Sequence, residues 1–325
     1  MVRFFLRRFA FLLLTLFFTS IVIFALTRIL PGDVCSITSG GLEASPNVVA
    51  QCERELGLDE PLLVQYVNWL LDFVQGDFGV SAINREPIAP VLEQRLENSA
   101  RLASLTLLLS VPLGILLGVI AGLNENKLPD AIISVITLGV VSLPEFVTSI
   151  FLINILAPEW TENWDFTPFD PRISATQFEP QMSFWESMPF IIFPAIATTF
   201  VLLGYIARLT RAGVIEELKR DYVRTAELKG LPYWQVIIKH ILRNALLPTV
   251  TVIAISIGWL MSGLVVVEFI FNYDGVGSYL VDGIDKRDLT RIQAITMTTV
   301  FIFVFINFLA DLMYAYLNPR IRFGD

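Results

Sequence analysis

One histidine and two cysteines in 325 residues leave this chain little with which to hold a soft metal. His240 has no cysteine or second histidine beside it in sequence, which argues against a metal centre. The pattern Gly-x-x-x-x-Gly-Lys-Ser/Thr occurs nowhere, so the chain has no phosphate loop of its own. Charged side chains make up only 17% of the residues, the net charge is −8, and no basic cluster stands ready for a polyphosphate. Nucleic-acid binding is excluded on that ground. There is also no internal repeat, low-complexity tract or flexible linker, which argues against a solenoid or a string of soluble domains.

What the sequence has in abundance is apolar surface, with 54% hydrophobic residues and a mean hydropathy of +0.65. These residues are clustered. Uncharged runs at 9–27, 102–122, 188–207, 245–267 and 292–310, and a sixth at 131–157 interrupted only by Glu145, each approach or exceed the roughly twenty residues that cross a bilayer as helix. The sequence therefore predicts an all-α integral membrane protein with six transmembrane helices, at about 9–30, 100–122, 131–157, 188–207, 245–270 and 292–317. The first run follows Arg3, Arg7 and Arg8, as a secretory signal would. Its length, its lack of a small-residue cleavage site and the five spans that follow favour a retained helix.

The basic residues set the orientation. Placing the N-terminus inside puts fourteen of the 23 Lys and Arg on the cytoplasmic side, eight of them in 208–243, so both termini are expected in the cytoplasm. Two large periplasmic loops result, 31–98 and 157–189, the first carrying eleven Asp or Glu against three Arg. An amphipathic helix is expected near 61–74, where Leu62, Leu63, Tyr66, Val67, Leu70 and Leu71 recur at helical spacing. Cys35 and Cys52 share loop 31–98, in a compartment that permits a disulfide, and spacing alone leaves a bridge and two free thiols equally open.

Within the spans, Gly114, Gly118 and Gly122 recur every four residues, a pattern for close helix packing. Pro112, Pro144 and Pro194 imply kinks. Glu145 is the one carboxylate well inside a span, where an ionised group requires water or a partner. It reads either as a path-lining residue that meets a substrate ammonium or as a hydrogen-bonded structural residue. Glu268 and Asp311 lie near span ends and read as interfacial or packing residues, and Trp69, Trp160, Trp164 and Trp185 as interfacial anchors.

The most specific stretch is the inner loop 208–247. Leu218, Tyr222 and Ala226 form an apolar row over Glu216–Lys229, which predicts an amphipathic helix ending in a left-handed Gly230, with Pro232 preventing continuation and a second helix from about Tyr233 to Leu247. The apolar face of the first helix has no evident cover in this chain, which points to a partner protein.

Asp221-Tyr-Val-Arg-Thr-Ala-Glu-Leu-Lys-Gly230, followed by Lys239-His-Ile-Leu-Arg-Asn-Ala-Leu-Leu-Pro248, resembles the EAA loop of ATP-binding-cassette importer permeases of the oligopeptide and dipeptide branch. Leu30-Pro-Gly-Asp33, Leu56-Gly-Leu-Asp59, Gly76-Asp-Phe-Gly79, Val267-Glu-Phe-Ile-Phe271 and Asn318-Pro-Arg320 extend the resemblance over nearly the whole chain. Arg224-Thr-Ala226 stands where many importers have Glu-Ala-Ala, and Asp274 replaces the proline expected before Gly275.

The resemblance implies a pore-forming, non-enzymatic subunit of the bacterial inner membrane, moving peptides or a related small solute by alternating access. It implies that Asp221, Tyr222, Arg224, Thr225, Ala226, Lys229, Gly230 and Leu231 couple the pore to an ATPase. The partners it implies are a second homologous permease, two ATPase subunits that use ATP and Mg, a periplasmic solute-binding protein and membrane lipid, with no cofactor bound by this chain. A self-sufficient secondary transporter would be expected to show inverted repeats or several intramembrane charges. A non-transporting scaffold would leave the Gly-Pro turn without a purpose.

Overall fold

The structure is a computed structural model that describes residues 2–29, 35, 46–55, 57–156 and 182–317. Those residues are almost entirely helical, and an isolated bridge between Val80 and Pro87 is their one β contact. In chain order the helices are α1 (Val2–Ile29), α2 (Pro46–Glu55), α3 (Leu62–Gln75), α4 (Ile88–Leu123), α5 (Leu128–Ser142) and α6 (Glu145–Phe151), which runs into a π-helical turn, Leu152–Leu156. Then come α7 (Phe184–Leu218), α8 (Asp221–Leu228), α9 (Tyr233–Ala245), α10 (Leu247–Gly263), α11 (Val265–Ile270), α12 (Val276–Asp285) and α13 (Leu289–Leu317). Residues 30–34, with the Leu30-Pro-Gly-Asp33 signature, residues 36–45, most of the loop 157–189 and the Asn318-Pro-Arg320 signature lie outside the described residues.

Helices α1, α4, α7 and α13 are each long and apolar enough to cross a membrane. Two further apolar lengths are broken. α5 and α6 meet at 94°, and α9 and α10 at 52°. The first break follows from Leu143-Pro144, because a residue before proline is pushed to extended backbone: Leu143 has ψ 122°, and Pro144 caps the next helix from outside it. Pro112 and Pro194, by contrast, lie within continuous helices, so the expected kinks are sharp at one proline of the three.

The axis of the bundle is α4 against α7, the most extensive pairing among the described elements. Glycines make it close. A Cβ at Gly114 would lie 2.7 Å from Ile206, one at Gly118 2.6 Å from the Ala207 carbonyl, and one at Gly122 2.8 Å from Val214. The small-residue row therefore admits the α7 backbone where any side chain would hold it off. Leu102, Leu105, Ile191, Ile206, Leu260 and Tyr273 form the central core around this pairing. Outward-facing Phe, Leu and Ile on α1, α5 and α13 stay exposed, as residues that face hydrocarbon must.

Both axial helices outrun the spans expected of them. α4 begins twelve residues before position 100 and α7 continues to Leu218, so charged residues such as Arg208 and Arg211 stand on helix rather than loop. At 1.5 Å per residue α4 is roughly 54 Å long, longer than a hydrocarbon core of about 30 Å. The bundle thus has two projecting ends. One is built by α8, α9 and the C-terminal end of α7, the other by α3, α12 and the N-terminal end of α4.

Candidate functional site

The α8 end carries the predicted turn. The helix expected over Glu216–Lys229 is in fact two: α7 stops at Leu218, Lys219 and Arg220 turn the chain, and α8 covers Asp221–Leu228. Asp221 stands in the first turn of α8, where a negative charge complements the helix dipole, and the Thr225 hydroxyl donates back to its carbonyl at 2.9 Å. Gly230 has φ +73°, with its amide donating to Glu227 O at 2.9 Å and Leu231 N reaching Ala226 O at 3.4 Å. This is the left-handed cap that the sequence predicts. Proline 232 then opens α9, which contains a π-helical turn over Val236–Ile241.

The apolar face of α8 is covered within the chain, which corrects the expectation that it awaits a partner. Val223 and Ala226 are buried against Val214, Val236, Ile241 and Ala245, with Leu218 and Tyr222 packed at the margin. Ala226 is therefore a core residue of this end and no part of an accessible surface. Tyr222 is half-buried; its hydroxyl donates to Glu217 and receives the Asn244 amide at 3.3 Å. Burial first, and the Glu217 carboxylate second, raise its phenol above the ordinary tyrosine range.

The accessible surface lies at the tip instead. Leu228 is 82% exposed, and Leu231, Tyr233, Trp234 and Ile238 are exposed around it. Arg224 and Lys229 flank them, exposed and without an ion pair among the described residues. A polar clamp fixes the base. Arg211 of α7 grips Asp130 of α5 through two bonds of 2.5 and 2.7 Å, and Asp130 also accepts from Asn126 N at 3.0 Å and Ser134 Oγ at 3.2 Å. Asp130 is almost fully buried. Reading 208–247 as loop hid this pair, whose one sequence signal is an acid at the start of an apolar run.

Glu145 stands at the first position of α6, at the 94° break. It is half-buried, and its Oε2 is buried with no hydrogen-bond partner among the described residues. Cys35 is buried and disulfide-bonded, and the side chain of Cys52 lies outside the described residues.

At the other end Glu268 proves far more engaged than a span-end residue need be. It is 1% exposed and accepts from Ser99 Oγ at 2.5 Å, Gly277 N at 2.7 Å and Ser278 N at 3.3 Å, so it sits against the N-terminus of α12. A Cβ at Gly275 would overlap its carboxylate, and one at Gly277 would come within 2.9 Å of it, so the Gly-Val-Gly spacing leaves room for this carboxylate. Buried Asp288 likewise takes Ser81 Oγ at 2.5 Å and Arg291 N at 3.3 Å. Asp311 pairs with Arg8 at 2.7 Å on the lateral surface. Among the described residues no group of three His, Cys, Asp or Glu could hold a metal, and His240 serves through its backbone carbonyl, which faces Tyr222.

This architecture, a bundle of membrane helices with a rigidly backed turn at one end, is that of a transporter's membrane subunit. The chain belongs to the family described as the binding-protein-dependent transport system inner membrane component, which matches residues 114–323, and the N-terminal component of the same systems matches residues 1–116. It is an inner-membrane permease. Among its relatives a glutathione transport system permease protein of Escherichia coli is 33% identical over 99% of this chain and all of its own length. A probable peptide ABC transporter permease protein of Sinorhizobium fredii is 35% identical over 98% of both. A crystal structure of an amino acid ABC transporter with histidines shares the fold, with a TM-score of 0.53 and 12% identity over 70% of this chain and 94% of that one.

Proposed function

We propose that this chain forms half of the pore of an ATP-binding-cassette importer for di- or oligopeptides or a related small solute such as glutathione. In this reading it crosses the inner membrane six times, each bent pair counting as one span, with both termini and the α8 end in the cytoplasm. A second, homologous permease completes the pore, two separate ATPases using ATP and Mg drive it, and a periplasmic solute-binding protein delivers the solute. The α8 turn is the element an ATPase grips, and closure of the ATPase pair swings it between two packed states.

The observation that carries this reading is the pairing of an exposed apolar tip with a base packed onto α7. A force on Leu228 or Trp234 reaches α7 through Val223, Ala226 and Val214 without a flexible link. Leu228→Glu is expected to reduce ATP-driven uptake by the reconstituted complex at least tenfold while leaving the folded permease intact, because the side chain supports nothing within the chain. Uptake at the parental rate would sink the docking role, and uptake by the purified chain alone would favour a secondary transporter.

Glu145 is the candidate contact for the solute's ammonium, a role supported by its orphaned Oε2 at a broken span, where a buried acceptor gains most from a donor. Glu145→Gln is expected to slow uptake of a dipeptide with a free α-ammonium about tenfold more than that of its N-acetylated form. Equal slowing of both would assign it a structural role. Cys35 and Cys52 form a bridge in this reading, supported by the bonded state of Cys35. Two free thiols in denatured, unreduced protein would end that assignment.

A further inference from the structure

Helix α3 has three faces of different chemistry. Tyr66, Trp69 and Phe73 recur at helical spacing and are half-buried, and this aromatic face is the one seated on the bundle. The Phe24 ring of α1 lies 5.4 Å from that of Tyr66 and 6.0 Å from that of Trp69, and Phe73 meets Phe78 at 5.2 Å. The Tyr66 hydroxyl lies 2.8 Å from that of Ser20, which is fully buried. Gln65, Asn68 and Asp72 form a second, polar face, which lines a cavity shared with Arg28 and the start of α13. The third face carries Leu63, Val67, Leu71 and Val74, again at helical spacing, and all four are exposed.

The level of the contact on α1 decides what surrounds α3. Arg8 and Arg28 bracket the uncharged residues 9–27 of α1, which as helix run roughly 28 Å, close to the thickness of a hydrocarbon core. Phe24 stands four residues and Ser20 eight residues before Arg28, which places them about 6 and 12 Å inside it along the helix. The aromatic face of α3 is therefore held at a depth where α1 is in lipid. Phe17, Ile21 and Val22 of α1, which adjoin Ser20 and Phe24 in sequence, are exposed as residues that face hydrocarbon are, so the bare face of α3 extends a surface of the same kind. Irregular backbone and soluble partners do not cover a face at that depth, because their polar groups find nothing to bond in hydrocarbon. An apolar arc and a polar arc on one helix define a helix that lies in the interface plane.

We infer that α3 is inserted beside α1 into one leaflet of the bilayer, with lipid acyl chains covering Leu63, Val67, Leu71 and Val74 and with Asn68 and Asp72 turned to the cavity. With 14 residues it is too short to cross the membrane, so it anchors the loop between α1 and α4 to the bilayer surface without adding a span. Naming that leaflet periplasmic rests on the orientation proposed above; the insertion does not.

The test uses the whole parental transporter in phospholipid vesicles, photolabelled with an apolar diazirine that partitions among the acyl chains and read residue by residue by mass spectrometry. Label at Leu63, Val67, Leu71 and Val74 is expected within about twofold of that at Phe17, Ile21 and Val22 of α1, and about tenfold above that at Asn68 and Asp72. Absence of label from the apolar face of α3 would show that protein covers it, a second permease or another segment of this chain, and would overturn the insertion. Labelling of that face by a charged, water-borne diazirine at the level found for Asn68 would overturn it as well. Val67→Asp should lower the apolar label at Leu63 and Leu71 about fivefold by drawing this face toward water, while Asn68→Asp leaves it unchanged. Equal label in the two variants counts against insertion. Where Val67→Asp does not fold, the pattern on the parental protein decides alone.

Discussion

The two projecting ends of the bundle solve the same problem in opposite ways. At the α12 end three charged side chains are drawn inside: Glu268, Asp288 and Arg291 are nearly inaccessible, the two carboxylates taking hydroxyls and amides and Arg291 donating to the Tyr279 carbonyl at 2.7 Å, with its Nε left without a hydrogen-bond partner among the described residues. At the α8 end the polar side chains stay outside and large apolar ones stay with them, Leu228 and Trp234 above all. Carboxylates answered by nearby hydroxyls and amides tie the α12 end together from within. Exposed apolar area of the kind at the α8 end is the mark of a surface that the proposed docking role would cover. The contrast teaches that one end of this permease answers its buried carboxylates within the chain, while the other leaves large apolar side chains exposed.

The largest effect should come from breaking the closed end. Glu268→Ala leaves Ser99, Gly277 and Ser278 with unanswered donors in a packed interior, and it should lower unfolding free energy by about 3–5 kcal/mol, as loss of one partner in a buried charged network does. A shift of the thermal midpoint in detergent reads this out, and a midpoint equal to the parental one would remove the claim that the network holds this end. Next is the clamp at the base of the open end. Asp130→Ala should cost about 1–3 kcal/mol, because Arg211 is half-exposed and regains water when released. A cost as large as that for Glu268 would erase the contrast between the ends. The smallest effect on stability belongs to the tip, where Leu228→Glu should fall within about 0.5 kcal/mol of the parental protein. Its large effect on uptake with a negligible one on folding is what separates a docking surface from a core.

Much of the fold could be read without coordinates, for a physical reason. Apolar runs of span length admit few structures in lipid, so helices at each of the six expected positions follow from length and composition. The Gly230 cap was equally legible, since a left-handed residue followed closely by proline is a local signal, and the glycine row of α4 announced its close approach to α7. The ends of helices were less legible. Hydropathy marks where hydrocarbon stops and not where hydrogen bonding stops, so α4 and α7 run on past their apolar cores. The break at Pro144 was expected as a kink, and only packing set it at 94°.

The candidate site divides in the same way. Asp221–Gly230 is legible as a helix with a cap, but the row Leu218, Tyr222, Ala226, which periodicity offers to a partner, is the face that packs toward α9. A periodic row tells which residues share a side and not what covers that side. Arg211 with Asp130 and Glu268 with Ser99 leave no local signal, because they join residues 81 and 169 positions apart.

The sequence by itself therefore determined the class of this protein: apolar length, basic asymmetry and a glycine-proline turn are local properties, each fixed by a few adjacent residues and the solvent around them. Only the tertiary structure decided which charges are buried and answered, and which apolar side chains stay exposed at the α8 tip, because those facts depend on segments far apart in the chain arriving within a few ångströms of each other.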